Sequence, residues 1–176
     1  GTSCHFNSVS NSGAGPVASA AVTDAAPSAE PRYRASFIVD LDNLTSPGFT
    51  TSAQIFSATS SGSPLRLGIF GDGTNWFLSY VLGDTVSGSR QLAAGENHIE
   101  FDLQIGTSGS LTLWVNNNNG GSPTVPAISV NNSTMVGIDD AYLGLSAPSI
   151  GFVSNYNGSA VQFDQFDSRR QTFIGY

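Results

Sequence analysis

Between Asn97 and Ile105 the chain alternates apolar and polar residues without a break. Ile99, Phe101, Leu103 and Ile105 fall on one side, and His98, Glu100, Asp102 and Gln104 on the other. A period of two is the signature of an extended strand with one buried face, because successive side chains point to opposite sides. The alternation recurs in Tyr33–Leu41, where Tyr33, Ala35, Phe37, Val39 and Leu41 oppose Arg34, Ser36 and Asp40. It recurs in Leu65, Leu67 and Ile69 against Arg66 and Gly68, and in Trp76, Leu78, Tyr80 and Leu82. Leu111, Leu113 and Val115 alternate with Thr112 and Trp114 after a turn at Gly106–Gly109. Shorter strands are predicted at Gln54–Ala58, Ala127–Val130, Ala141–Leu145, Gly151–Ser154 and Ala160–Phe166. Gly71-Asp72-Gly73 and Pro47-Gly48 read as turns, and the Asn/Gly run from Asn116 to Gly121 as a loop. No stretch of ten or more residues carries a helical period. About eleven short strands, with turn signals every 8–12 residues, predict an all-β, two-sheet antiparallel jelly-roll sandwich.

Composition narrows the function classes. Only 11% of the residues are charged, lysine is absent, and six arginines face thirteen acids. Soluble proteins average about 25% charged residues, so Ser, Thr, Asn and backbone must solvate this surface. A nucleic-acid partner is excluded, because it needs a basic footprint and the net charge is −7. No run approaches the roughly 18 apolar residues of a membrane span. Cys4 has no second cysteine to pair with. Such a surface suits a secreted, extracellular or cell-surface protein. The sequons at Asn43, Asn131, Asn132 and Asn157 matter only in a glycosylating host. Residues 1–30 read as an N-terminal segment, either a linker or an edge strand around Val17–Val22, and 31–176 as one sandwich.

Several blocks resemble a known superfamily. His98-Ile-Glu-Phe-Asp, a Gly/Ser turn and Leu111-Thr-Leu-Trp-Val-Asn resemble the paired central strands of laminin-G-like domains. Ala141-Tyr-Leu-Gly-Leu and the closing run from Val161 through Phe163, Phe166, Arg169 and Arg170 resemble the last strands of bacterial secreted domains of that type. Pro31–Phe37 is similar to their early strand. The resemblance, over roughly residues 31–176, implies the concanavalin A-like lectin/glucanase fold. Fold alone does not imply function.

A retaining β-glucanase, a chemistry found on this fold, needs two carboxyl groups about 5–5.5 Å apart. Glu100 and Asp102 supply the first two acids of such a strand motif, but Gln104 and Ile105 cannot supply the third. They read instead as the polar face of an amphipathic strand. Asp164 and Asp167 are three apart, hence expected on opposite faces and paired with Arg169 or Arg170. His5 and His98 are the only histidines, and no nucleophile elbow, phosphate loop or zinc spacing is present. The expectation is a non-enzymatic protein with no catalytic residue; a degenerate β-glucanase is the weaker alternative.

The resemblance also brings in calcium, which takes six to eight oxygens. Asp139 and Asp140 with the Asn131/Asn132 loop are the candidate ligands, or Asp72 with Asn75; otherwise no cofactor is expected. A glycan site needs aromatic platforms and planar polar groups. Trp114, out of phase with Leu111 and Leu113, is the first candidate, followed by Tyr156 with Asn155 and Asn157, and by Trp76. The leading expectation is thus a binding or adhesion module for a glycan or cell-surface partner. The alternative is a subunit of a self-assembling fibre or surface layer, exchanging its N-terminal strand with a neighbour.

Overall fold

The computed structural model describes residues 6–9, 21–25, 27, 29–42, 44, 52–59, 65–83, 86–116, 125–130, 137–146 and 160–169. The strands are β1 (Phe6–Val9), β2 (Ala21–Asp24), β3 (Arg32–Asp40), β4 (Ser52–Thr59), β5 (Leu65–Gly71) and β6 (Trp76–Leu82). They continue with β7 (Val86–Gln91), β8 (Glu96–Gln104), β9 (Gly109–Val115), β10 (Val125–Val130), β11 (Asp140–Ser146) and β12 (Ala160–Arg169). Two six-stranded antiparallel sheets pack as a sandwich. Sheet A runs β1-β12-β3-β8-β9-β10 and sheet B runs β2-β11-β4-β5-β6-β7. No described helix is long and apolar enough to cross a membrane.

The core sits between the sheets and is made by the alternation itself. Tyr33, Ala35, Phe37 and Val39 of β3 and Ile99, Phe101 and Leu103 of β8 face Phe56, Leu67, Ile69 and Leu78 across the interior. Phe56 links the layers: its ring lies edge-on to Phe101 at 4.9 Å and stacks on Phe37 at 6.0 Å. Such pairs add to the burial of their area, which dominates the stability of a sandwich. At the sandwich edge Asp24 of sheet B accepts hydrogen bonds from Tyr33 Oη and Ser168 Oγ of sheet A, at 3.0 and 2.7 Å. The N-terminal strands lie on their own sandwich, β1 beside β12 and β2 beside β11. The edge strand expected around Val17–Val22 is β2, which starts at Ala21; residues 17–20 and the expected strand Gly151–Ser154 lie outside the described residues.

Three irregularities decide which side chains face outward. In β4 the register slips between Gln54 and Phe56, so Ile55 and Phe56 are both buried while Gln54 and Ser57 pair with outward positions of β5. In β11 it slips between Leu143 and Ser146. In β12 Gln165 adopts φ +52° and the ladder slips, so that Asp164 pairs with Ile38 and Asp167 with Ser36. That bulge corrects the expectation for Asp164 and Asp167. They share the outer face of sheet A, because one extra residue cancels the odd spacing.

Candidate functional site

The outer face of sheet B carries two adjoining depressions that share Gln54. One, of about 490 Å³, is lined by Thr23, Gln54, Ser57, Thr59, Asp140 and Tyr142. The other, of about 290 Å³, includes Ser52, Gln54, Arg66, Gly68, Ser79 and Val81. Cross-strand register places these residues in rows. Thr23, Tyr142, Ser57, Arg66 and Val81 form one row over β2, β11, β4, β5 and β6. Gln54, Gly68 and Ser79 form the next. Gly68 keeps the second depression open: a Cβ there would meet Ser79 Oγ at 2.9 Å and the Ala53 carbonyl at 3.0 Å.

The chemistry of this face is mostly that of hydroxyls and one amide. Among the described lining residues Arg66 is the one cation and Asp140 the one anion. Gln54 offers both a donor and an acceptor to either depression. The arginine fork matches a planar carboxylate. Strand spacing of about 4.8 Å puts Tyr142 and Arg66 roughly 10 Å apart at the backbone, two strands across one row. A group between them can meet the phenol oxygen and the guanidinium together.

Sheet A presents a different face. Glu100 pairs with Trp114 on one side and Ser36 on the other; Asp102 pairs with Thr112 and Arg34. The expectation of a solvated polar strip is corrected here. Glu100 is only 2% exposed and Asp102 7%, although both point away from the sandwich core. Asp102 accepts a fork from Arg32 (Nε 3.0 Å, Nη2 2.7 Å) and a third hydrogen bond from Arg34 Nη2 at 2.7 Å. Burial pushes the Asp102 carboxyl upward, but the hydrogen bonds and charges of Arg32 and Arg34 outweigh it and hold the pKa below the usual carboxylate range. The same hydrogen bonding raises Arg32. With its oxygens spent on arginines, Asp102 is a brace between β3 and β8, not a second acid for Glu100.

The residues expected from sequence scatter. Trp114 does turn away from the core, but on sheet A, across the sandwich from the depressions. Trp76 joins the hydrophobic core at 8% exposure, which leaves too little ring for a sugar to stack on. Asp140 lines the larger depression, while Asp139 Oδ1 accepts the Ala29 N–H at 2.8 Å. Asp72 Oδ1 is taken by the Thr74 and Asn75 N–H groups, which hold its pKa low and make it a turn residue. No group of three or more His, Cys, Asp or Glu among the described residues could hold a metal. Tyr156, Asn155, Asn157, Asn132 and Cys4 lie outside the described residues. Gln54, Arg66 and Tyr142 were not singled out in the sequence. The phase of Arg66 against Leu65 and Leu67, and of Tyr142 against Ala141 and Leu143, was the available signal; Gln54 reaches the same face only through the slip in β4.

No protein-family model and no curated protein matches the sequence. Solved structures do. The chain is similar to the alginate lyase Aly36B in complex with alginate trisaccharide, at a TM-score of 0.66 and 14% identity, covering 96% of this chain and 81% of that one. It is similar to the catalytic domain of a GH131 β-glucanase from Podospora anserina, at a TM-score of 0.56 and 14% identity, covering 83% of this chain and 61% of that one. It is also similar to the receptor-binding domain of botulinum neurotoxin type G, at a TM-score of 0.52 and 11% identity, covering 96% of this chain and 40% of that one.

The fold is a two-sheet jelly-roll sandwich, shared with these domains. These comparisons correct the expectation of a protein without catalysis. That expectation rested on a missing third carboxylate and a missing nucleophile triad. The same sandwich, matched over nearly the whole chain, serves a lyase, so the lack of those motifs does not argue against catalysis on this fold.

Proposed function

We propose that the outer face of sheet B binds a polysaccharide chain and cleaves it, with Gln54, Arg66 and Tyr142 as the working side chains. The observation that carries this is the pair of hydroxyl-lined depressions joined at Gln54. Sugars are recognised by such planar amides and clustered hydroxyls in shallow concave sites. The alginate lyase and the β-glucanase among similar structures favour a polysaccharide over a small metabolite. A polysaccharide substrate favours a working place outside the cell, secreted or on its surface.

The side chains on the row suit elimination from an acidic sugar. Arg66 and Gln54 hold the sugar carboxylate and draw charge from the carbon beside it. The Tyr142 oxygen takes the proton from that carbon. The electron pair of the broken C–H bond forms a double bond to the neighbouring carbon. The glycosidic C–O bond there breaks as the phenol hydrogen of Tyr142 passes to the departing oxygen, so that Tyr142 ends as a phenol again.

The test incubates the protein with a polyuronate and with a neutral β-glucan. It follows the ultraviolet absorbance of the new double bond beside the release of reducing ends. The expected result is absorbance from the polyuronate. Tyr142→Phe should abolish turnover while keeping binding, and Arg66→Gln should weaken binding. Reducing ends without absorbance would replace elimination by hydrolysis. Binding to neither polymer would overturn the assignment.

A further inference from the structure

Phe70 and Phe77 lie outside the core although both are large and apolar. They face each other across β5 and β6, with ring centroids 5.1 Å apart and planes 16° apart. Both are half-buried, and neither belongs to the core cluster or to the partly buried residues packed against it among the described residues. Their phase is that of the outer face: Phe70 pairs with Ser52, and Phe77 with Gln91. Ser52 is itself part of the rim of the Arg66 depression. Arg66, Gly68 and Phe70 therefore follow one another on the same side of β5, and the phenylalanine pair stands about 13 Å along the strand from Arg66. Beside it Gln91 Nε2 donates to Asn75 Oδ1 at 3.0 Å, which fixes a planar amide next to the rings.

We propose that Phe70 and Phe77 form an apolar wall that extends the sheet B cleft by a further sugar position. The inference rests on the reading of that face as a polysaccharide site. Continuity with the depression names the occupant: the C–H face of a sugar ring in the same chain whose neighbours fill the depressions. The Gln91–Asn75 pair then meets the hydroxyls at the edge of that ring. Aromatic rings take the apolar face of a sugar, and amides take its rim. A wall beyond the reacting row has a kinetic consequence. Long chains gain binding from it and short ones do not, so the domain discriminates by chain length.

The experiment measures affinity and turnover for an oligosaccharide series, short to long, with the wild-type chain and the variants Phe70→Ser, Phe77→Ser and Phe77→Leu. Thermal melts establish that each variant is folded; Phe77→Leu keeps apolar bulk if the serine variants do not fold. The expected result is roughly tenfold weaker binding of the longest members. The shortest should be unaffected, and turnover at saturation unchanged. Equal effects at every length, or no effect at any length, would overturn the wall. So would a change confined to a dimer–monomer shift in sedimentation, which would make the pair a contact between copies. If the wild-type chain binds no oligosaccharide, the polysaccharide reading fails; if it binds and cleaves while the variants show no length dependence, only the wall fails.

Discussion

Replacing Asp102 by Asn removes one negative charge from the brace between β3 and β8 while nearly keeping its shape. The wild-type carboxylate accepts three charge-assisted hydrogen bonds, at 3.0, 2.7 and 2.7 Å. Each such bond contributes a net of about 1.5–3 kcal/mol. The fork from Arg32 must be discounted, since that side chain is 35% exposed and can turn to water. Arg34, at 12%, cannot, and the amide has no charge and a single acceptor oxygen for the two arginines. The net loss comes to about 3 kcal/mol. For a domain of this size that lowers the melting temperature by roughly 6–12 °C.

The assay is urea unfolding of both proteins at neutral pH and then at steps down to about pH 3. Asp102 has a depressed folded pKa, so its stabilisation is present above the unfolded value. It is lost as pH falls through the folded one. The gap between wild type and Asp102→Asn should thus be constant above about pH 5 and close at lower pH. A gap below about 1 kcal/mol at neutral pH would refute the brace. So would a gap that persists unchanged under acid.

Two other substitutions test the packing. Asn97 is fully buried, accepts from Ala93 N and Asn116 Nδ2, and donates to the Ala93 and Gly95 carbonyls. Asn97→Ala should cost about 2–3 kcal/mol in urea titrations, since a fully buried amide loses four hydrogen bonds at once, although the Gly95 carbonyl keeps the one from Leu41 N. Arg169 lies 2.9 Å from Asp167 with both side chains 43% exposed. Arg169→Ala should shift stability by less than about 0.5 kcal/mol, and a larger loss in the same titration would show coupling beyond the ion pair.

The strands of the sandwich were legible wherever one face is buried and the other is not. β3, β5, β6, β8 and β9 each repeat the two-residue period, and their inward residues are the core residues of the fold. β7 was not legible. Ser87, Gly88 and Ser89 show no apolar alternation, and the strand exists because its backbone completes the ladder of β6. Gly88 also sits opposite Tyr80, whose ring occupies the space a side chain would need. The site was less legible still. The phase of Trp114 against Leu111 and Leu113 put it on an outer face, where it lies, but phase does not tell which sheet carries the depressions; Trp76 shares the phase of Leu78 and Leu82 and is a core ring.

Periodicity and composition by themselves determined an all-β sandwich, its inward faces, and a surface of hydroxyls and amides with few charges. Both are local properties: alternation is written in neighbouring residues, and solvation depends on residue type. The tertiary structure alone decided which polar residues meet. A slip in β4 turns Gln54 toward the same face as Arg66, the strand order brings Tyr142 into the row of Arg66, and a bulge in β12 returns Asp167 to the side of Asp164. It alone also decided that Glu100 and Asp102 are buried. Register and burial depend on strands far apart in the chain, and a one-residue slip moves every side chain beyond it to the opposite face.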